Sequence, residues 1–382
     1  MAQGRNQAHR QSNGANRIHP KPTMNTRIRA VEFFRAISPN SRPIADATHT
    51  IGEIAFVITR VHLDSGVVGE SNLLAFHYSP RAIAGALRDL APLAMEFEVY
   101  ETGRFLQHAL CESEYFGNIG LNRWAAGAIN VAMWDAWGKT LEQPIWKIFG
   151  TRRSAVPVYG SGGWLSYSIE ELLEEVTGYT KRGFRAVKIK VGDPELERDV
   201  ERLTRVREAV GPNVKVMMDA NQGMSVPSAL ALARKAAAID IHWFEEPIPR
   251  DDYDGYAQLR RQAGISLAMG EREYDTSGLR ELIRRNALDL WQPDLLRLGG
   301  VEGWRESALL ANSHGLPVLP HYYKEYDVPL LCTIPSAYGS ESFDWIDGLV
   351  DNPIPVREGM AQPLPGAGWG FTFKPQYLQN LD

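Results

Sequence analysis

Three acidic residues recur at one fixed interval in this chain of 382 residues: the step from Asp219 to Glu245 equals the step from Glu245 to Glu271. Each closes a short apolar run that is typical of a buried strand. One strand–helix unit of a parallel barrel takes roughly 25–30 residues, so the three carboxylates are expected at the same ends of successive strands. Carboxylate oxygens on rigid strands suit Mg²⁺ better than Zn²⁺. The spacing therefore predicts a Mg²⁺ site.

Any one of these acids alone could instead cap a helix or form an ion pair, because acids are common in the loops after barrel strands. Equal spacing on adjacent strands favours the metal hypothesis. Asn221 is predicted to share the side-chain direction of Asp219, and to support that ligand or contact substrate. Glu246 is predicted to point away from Glu245 and to support the site without binding metal.

A second pattern is the pair Lys188 and Lys190, at the end of the predicted second barrel strand. Period-two alternation puts both ammonium groups on one face of that strand. A central barrel strand has no solvent-exposed face, so the barrel lumen is favoured over a solvent-facing pair on an edge strand. Like charges disfavour protonation, which predicts that a lysine pKa falls towards the range of a general base.

Asp294 and His321 end the predicted sixth and seventh strands, and the interval between them is again one strand–helix unit. They are therefore expected to be neighbours, and a carboxylate beside an imidazole orients its tautomer and raises its basicity. Glu341 ends the predicted eighth strand. It could face a substrate oxygen or cap a helix, and both interpretations stay open.

The elements that must position these residues form an α/β fold with two units. Residues 24–150 are predicted to form an α+β domain, with helices over residues 80–98 and 124–139. Residues 151–350 alternate strictly between strands and helices, which predicts a (β/α)8 barrel. Its strands are expected at residues 156–161, 186–191, 214–220, 242–246, 266–271, 288–292, 316–319 and 337–341. Residues 351–382 are expected to pack on the first domain, and residues 1–23 to form a disordered extension.

Composition narrows the functional classes. The net charge of −5 gives no electrostatic support for nucleic-acid binding. The sequence contains no run of 18 apolar residues, so no membrane span is expected. Cys111 and Cys332 fit no metal-binding spacing. A disulfide between them stays open, but a reduced cytoplasmic protein is expected.

Taken together, these residues resemble the mandelate racemase subgroup of the enolase superfamily. The resemblance rests on the Lys-X-Lys motif, the three acids, the Asp/His pair and the final Glu, and on the surrounding strings Asp219-Ala220-Asn221-Gln222, Glu245-Glu246-Pro247 and Met269-Gly270-Glu271. It covers the chain from about Ile28 to the C-terminus. It implies a capping domain on a modified (β/α)8 barrel, and Mg²⁺-dependent removal of a proton α to a carboxylate.

The resemblance also implies a role for each residue. Lys188 and Glu341 would contact the substrate carboxylate, while Lys190 and His321 would face opposite sides of its α-carbon. Most subgroup members with this set dehydrate acid sugars, so we expect a small carboxylate substrate, an aldonate or aldarate, and a 2-keto-3-deoxy product. A racemase or epimerase is the alternative. More distant alternatives are an inactive binding barrel and a metal-dependent hydrolase.

Substrate contacts are harder to predict. Loop position suggests four weaker candidates, which are Ser161, Trp164, Tyr322 and Lys324. Two loops of the capping domain are expected to give the site a polar cover, through Arg42, Asp46, Thr48 and His49 in one and Ser71, Asn72, His77 and Tyr78 in the other. A homo-oligomer is expected from the resemblance.

Overall fold

The computed structural model describes residues 25–77 and 79–381. The predicted N-terminal extension (residues 1–23) and Tyr78 of the predicted polar loop lie outside these described residues. No helix within them is both long and apolar enough to cross a membrane. Cys111 is exposed and Cys332 is buried, and both are free thiols.

The N-terminal unit is an antiparallel sheet that is covered by helices. Its elements are β1 (Ile28–Ile37), β2 (Ile44–Ala45), β3 (Thr50–Ile51), β4 (Ala55–Leu63), β5 (Val68–Leu74), α1 (Pro80–Ala94), α2 (Thr102–Glu112), α3 (Leu121–Thr140) and α4 (Ile145–Ile148). The helix α3 is buried along most of its length, as its apolar sequence predicts. It lies so close to β5 that a Cβ on Gly69 would be 2.1 Å from the carbonyl oxygen of Ala132. Glycine at this position therefore permits the contact between helix and sheet.

The second unit is a closed barrel of parallel strands. Its elements are β6 (Val156–Gly162), α5 (Ile169–Lys181), β7 (Ala186–Lys190), α6 (Leu196–Val210), β8 (Lys215–Asp219), α7 (Val226–Lys235), β9 (Ile241–Glu245), α8 (Tyr253–Gln262), β10 (Ser266–Met269), α9 (Thr276–Arg285), β11 (Leu290–Trp291), α10 (Val301–Ser313), α11 (Lys324–Leu331) and β12 (Ser340–Ser342). Strands β6 to β11 pair in chain order, and β12 pairs with β6. This confirms the predicted α/β fold, a modified (β/α)8 barrel with an α+β capping domain.

The seventh strand of the barrel, which was predicted over residues 316–319, is shorter than predicted. Val318 forms parallel bridges with both Trp291 and Ala337. Pro317 and Pro320 flank it and have no N–H to donate, so the ladder cannot extend in either direction. The eighth strand is also displaced, to Ser340–Ser342 from the predicted residues 337–341.

Apolar side chains fill the lower part of the barrel lumen. This inner cluster consists of Tyr159, Met217, Trp243, Ala268, Leu290 and Leu319. Met217 and Trp243 lie two residues before Asp219 and Glu245, so strand alternation points these two acids into the same lumen above the apolar layer. The packed layer therefore forms a rigid base for the polar residues.

The C-terminal residues contact both units. They contain β13 (Val356–Arg357), β14 (Met360–Ala361) and β15 (Gln379–Asn380). Strand β14 pairs with β6 of the barrel, and β15 pairs with β1 of the capping sheet. Between them, the backbone N–H of Trp369 donates to the buried Asp135 of α3 at 2.8 Å.

Glu302, at the start of α10, connects the barrel to the capping domain. Its carboxylate accepts hydrogen bonds from Thr102 Oγ1 (2.5 Å), Asn130 Nδ2 (2.7 Å) and Trp134 Nε1 (3.1 Å), which all belong to capping helices. In return, Asn130 Oδ1 accepts from the backbone N–H of Val301 at 3.0 Å. One carboxylate thus satisfies three donors across the interface of the two units.

Replacing Glu302 by alanine is expected to lower the free energy of unfolding by about 2–4 kcal/mol, because it leaves three partly buried donors without their charged acceptor. Denaturant-induced unfolding measures the change. Glu306→Ala, at an exposed position of the same helix, is the matched control and should stay within about 0.5 kcal/mol of the parent. Equal losses for the two variants would contradict the interpretation.

Candidate active site

A compact cavity of about 140 Å³ lies at the C-terminal ends of the barrel strands. This is the end at which (β/α)8 barrels place their active sites. Five of the eight predicted catalytic and metal-binding residues line it, together with Asn221 and two residues of the β2–β3 hairpin: Lys190, Glu271, Asp294, His321 and Glu341, with Asp46 and His49. Lys188, Asp219 and Glu245 do not line it, but they are buried next to it and connect to it through the pairs Lys188–Glu341, Lys190–Asp219 and Lys188–Glu245.

The three predicted metal ligands lie side by side at this end. Asp219 is the last residue of β8, Glu245 is the last residue of β9, and the two are in register across the parallel ladder. Glu271 follows β10 after Gly270, whose φ of +134° is in the region that favours glycine. A Cβ on Gly270 would also be 2.5 Å from the ring of Trp291. All three carboxylates are buried, with exposed fractions of 0%, 1% and 3%.

Two of these carboxylates, Asp219 and Glu245, are paired with lysines, whereas Glu271 lies nearest to His321 (3.5 Å) and Arg272 (3.6 Å). Lys190 Nζ lies 2.6 Å from Asp219 Oδ2, and Lys188 Nζ contacts Glu245 and lies 2.7 Å from Glu341. Within residues 25–77 and 79–381, no three His, Cys, Asp or Glu side chains already form a metal-binding cluster. Binding of an ion would therefore require Asp219 and Glu245 to exchange their lysine partners.

The donor set nevertheless fits a hard divalent cation. Burial raises the pKa of Glu245 to about 7, and the neighbouring charges of Asp219, Glu341 and Glu271 add to this effect against the opposing charge of Lys188. Such mutual repulsion among buried carboxylates is what a bound Mg²⁺ would relieve. Gln292 Nε2 also donates to Glu245 Oε2 at 2.6 Å and fixes its orientation, a role that the sequence analysis missed.

The predicted fall in lysine pKa is wrong for this structure. Burial does favour the neutral amine of Lys190, and the charge of Lys188 acts in the same direction. The adjacent carboxylate of Asp219 outweighs both and raises the pKa of Lys190 above its ordinary value. The pKa of Lys188 is raised in the same way, since Glu245 and Glu341 outweigh its burial.

Asp294 and His321 are neighbours through a parallel bridge. His321 Nδ1 lies 2.8 Å from Asp294 Oδ2, and its Nε2 lies 3.5 Å from Glu271 Oε2. The other oxygen of Asp294 accepts from the backbone N–H groups of Leu296 and Arg297, which orients the carboxylate. Burial opposes protonation of His321, but Glu271 and Asp294 outweigh it and raise the pKa to about 9.

Glu341 and Glu246 are two further buried carboxylates of this region. Glu341 Oε2 accepts from the backbone N–H of Tyr322 at 2.8 Å, while its other oxygen contacts Lys188. Glu246 is fully buried and accepts from Arg272 Nε at 2.9 Å. Burial and the charge of Glu271 raise the pKa of Glu246 to about 8. Arg272 also lines the cavity, and the sequence analysis did not identify it.

The weaker substrate candidates divide into two groups. Trp164 and Tyr322 line the cavity, and the Trp164 ring centroid lies 5.1 Å from Lys190 Nζ. Lys324 and Ser161 do not line it, so we correct those two predictions. Lys324 begins α11 and binds Asp344 (3.1 Å) and Asp347 (3.2 Å) instead, whereas Ser161 lines a separate pocket.

The predicted polar cover is also only partly correct. Asp46 and His49 line the cavity, but Ser71 and Asn72 are buried within β5. Ser71 Oγ donates to the backbone carbonyl of Ala128 at 2.6 Å, which leaves it no access to the site. Much of the cavity wall is instead aromatic, formed by Phe76, Trp124, Trp164, Phe343 and Trp345.

The chain is similar to known proteins of one enzyme family. Residues 30–150 match the mandelate racemase / muconate lactonizing enzyme N-terminal domain, and residues 171–377 match the enolase C-terminal domain-like family. The L-talarate/galactarate dehydratase of Salmonella typhimurium is 30% identical over 361 residues, which cover 92% of this chain and 90% of that protein. Arabinonate dehydratase of Saccharolobus solfataricus is 32% identical over 269 residues (70% of this chain and 72% of that protein). A cycloisomerase is also similar: the 3,6-anhydro-alpha-L-galactonate cycloisomerase of Streptomyces coelicolor is 29% identical over 336 residues (87% and 93%).

Solved structures agree with this grouping. The Salmonella typhimurium L-talarate/galactarate dehydratase, liganded with Mg and L-lyxarohydroxamate, superimposes with a TM-score of 0.86 at 28% identity and covers 92% of this chain and 93% of that one. The L-talarate dehydratase of Polaromonas sp. JS666, complexed with Mg and L-glucarate, gives a TM-score of 0.85 at 28% identity and covers 92% and 97%.

Proposed function

This chain belongs to the mandelate racemase / muconate lactonizing enzyme family of the enolase superfamily, and we propose that it is a Mg²⁺-dependent dehydratase of an acid sugar. The substrate would be an aldonate or aldarate, and the product a 2-keto-3-deoxy acid. The observation that carries the proposal is the presence of two proton-transfer groups, Lys190 and His321, in one cavity with a cluster of buried carboxylates. Dehydratase relatives at about 30% identity support the choice of reaction.

Asp219, Glu245 and Glu271 would hold the metal ion, because they are the buried carboxylates at the ends of adjacent strands. When bound there, Mg²⁺ would supply positive charge that stabilises the negative charge developing on the substrate carboxylate. Gln292 keeps Glu245 oriented for this role. All three side chains offer carboxylate oxygens, which are the ligands that Mg²⁺ prefers, and this supports the assignment of the cofactor.

Lys188 and Glu341 would bind the substrate carboxylate. Their side chains already form an ion pair at 2.7 Å, and both are buried. The ammonium group of Lys188 can donate to one carboxylate oxygen. Glu341 can donate to the other carboxylate oxygen in its protonated form, which a bound anion beside it would favour, while the backbone N–H of Tyr322 holds its side chain in place. The two groups would thus fix the α-carbon relative to the proton-transfer residues.

Lys190 and His321 would act on opposite sides of the α-carbon, since they end the second and seventh positions of an eight-membered ring of strands. Lys190 can accept a proton only as a neutral amine, which requires another cation to take up the charge of Asp219. His321, which Asp294 orients through Nδ1, can in its protonated form donate a proton to a departing hydroxyl group. Removal of the α-proton and departure of the β-hydroxyl as water give an enol, which becomes the 2-keto acid.

Racemisation or epimerisation of a 2-hydroxy acid is the second candidate function. Lys190 and His321 could remove a proton from one face of the α-carbon and return one to the other face. The similarity to a cycloisomerase supports an isomerase as the alternative. A hydrolase would be expected to use histidine ligands, and a decayed binding barrel would lack at least one of these groups. The homo-oligomer, the cytoplasmic location and the domain boundaries stay predictions.

Proton NMR in D2O separates the two reactions. The Mg²⁺-loaded protein is incubated with aldonates and aldarates of four to six carbons, and with mandelate. Dehydration converts a substrate into a 2-keto-3-deoxy acid, which is the expected result. Deuterium at the α-carbon without loss of water would replace the dehydratase by a racemase or epimerase. No reaction and no exchange across the whole set would overturn the proposed function.

A further inference from the structure

Arg297 is the exception among the cations that line the cavity. Lys190 is paired with Asp219, His321 with Asp294, and Arg272 with Glu246, whereas His49 contacts Asp46. The guanidinium of Arg297 forms no ion pair and no side-chain hydrogen bond with any residue in the described part of the chain. It is therefore a charged cavity group whose donors are free to bind a ligand.

The position of Arg297 is nevertheless well defined. Its backbone N–H donates to Asp294 Oδ1 at 2.8 Å, which ties it to the residue that orients His321. Its guanidinium carbon lies 5.0 Å from the ring centroid of Trp124, which also lines the cavity. An arginine that stacks on an aromatic ring through its flat face keeps the N–H groups along its edge available.

We propose that Arg297 binds a second carboxylate at the far end of the substrate, so that the acid sugar is a dicarboxylate, an aldarate, and not an aldonate. This inference rests on the proposed function, because the first carboxylate is the one that Lys188 and Glu341 would bind. The planar fork of a guanidinium matches the two oxygens of a carboxylate, and such bidentate pairs are stronger than neutral hydrogen bonds. An aldonate would instead place an uncharged hydroxymethyl group beside Arg297.

The surroundings of Arg297 support a charged ligand group. Trp124, on which it stacks, offers no acceptor side chain, and Arg297 acts on the Glu271 carboxylate by its charge without forming an ion pair with it. A purely structural role for Arg297, through its stacking on Trp124, would affect stability but would not distinguish a diacid from a monoacid.

The test compares binding of matched acids, so that it does not depend on turnover. Mg²⁺-loaded protein carrying Lys190→Met, which blocks reaction, is titrated calorimetrically with galactarate against galactonate and with xylarate against xylonate. At least one diacid is expected to bind roughly 10- to 100-fold more tightly than its monoacid. Adding Arg297→Met should remove that advantage and leave monoacid binding nearly unchanged. Arg297→Lys should restore only part of it, because lysine keeps the charge but loses the fork.

Arg305→Met is the matched control. Arg305 also stacks on an aromatic ring, Phe149, at 3.8 Å, but it does not line the cavity. It should leave the preference for the diacid intact. Equal binding of both acids, or a diacid advantage that survives Arg297→Met, would overturn this inference. Turnover of aldonates but of no aldarate would also overturn this inference and would leave the dehydratase proposal standing. A preference for the diacid in binding, without turnover of any acid sugar by the parent protein, would support this inference and overturn the dehydratase proposal.

Discussion

Replacing Lys190 by methionine is expected to lower kcat by roughly 10²- to 10⁴-fold, the range for loss of a positioned general base. Methionine nearly matches the length of the lysine stem and suits the apolar contact with Trp164. The fold should therefore persist, with an unchanged circular dichroism spectrum. Steady-state kinetics on the substrate found by NMR gives kcat, and α-proton exchange in D2O measures the proton-transfer step alone.

Lys215→Met is the matched control for this variant. Lys215 lies at the opposite end of the barrel, at the start of β8, where its Nζ contacts the hydroxyl of Tyr338 at 2.9 Å. Its replacement should leave kcat within a few-fold of the parent. If Lys190→Met retained nearly full turnover and exchange, Lys190 would not be the base. The same pair of measurements on His321→Asn shows which of the two groups starts the reaction for a given substrate configuration.

Sequence spacing predicted which of these residues are neighbours, because a parallel barrel converts chain intervals into neighbouring positions. Asp219 and Glu245 are separated by one strand–helix unit and lie in register on adjacent strands. Asp294 and His321, which are separated by a similar interval, form a parallel bridge. In both cases the repeating strand–helix unit, and not the local sequence alone, determines the contact.

The incorrect predictions share a different physical origin. The lysine pKa depends on which acids face Lys190 across the ladder, and Asp219 lies directly opposite it in register. Sequence showed the like charge of Lys188 two residues away but not the strength of this cross-strand pair. Lys324 was misplaced for a similar reason, since Asp344 and Asp347 attract it from a later loop.

The capping domain shows the same limit. Its loops contribute to the cavity by their conformation, which no periodicity in the sequence predicts. Ser71 and Asn72 look like polar cover in the sequence, yet they belong to a buried strand. The hairpin residues Asp46 and His49 reach the cavity because Thr48 Oγ1 bonds the backbone carbonyl of Asn221 across the two units at 3.2 Å.

Glu245→Gln is expected to lower kcat/KM by at least about 10³-fold, because it removes one charge from the proposed metal site and several kcal/mol of charge stabilisation with it. Glutamine is nearly the same size as glutamate, but its single amide oxygen can accept from Lys188 or from Gln292 and not from both. The free energy of unfolding in the absence of Mg²⁺ is therefore expected to fall by about 1–3 kcal/mol, because one buried donor loses its acceptor. Calorimetric titration should show that the affinity for Mg²⁺ is weakened by at least about 10²-fold. Loss of a group that only orients a metal ligand weakens the affinity by about 10- to 100-fold, so a larger loss identifies Glu245 as a ligand.

The control must separate loss of a ligand from loss of a buried charge. Glu302→Gln makes the same substitution in a carboxylate that binds three donors between the two units and does not line the cavity. It should reduce the free energy of unfolding while Mg²⁺ affinity and kcat/KM stay near those of the parent. Glu245→Gln should lose Mg²⁺ affinity and kcat/KM as well. Because the two variants share their chemistry and differ in position, equal Mg²⁺ affinities for both would remove Glu245 from the metal site.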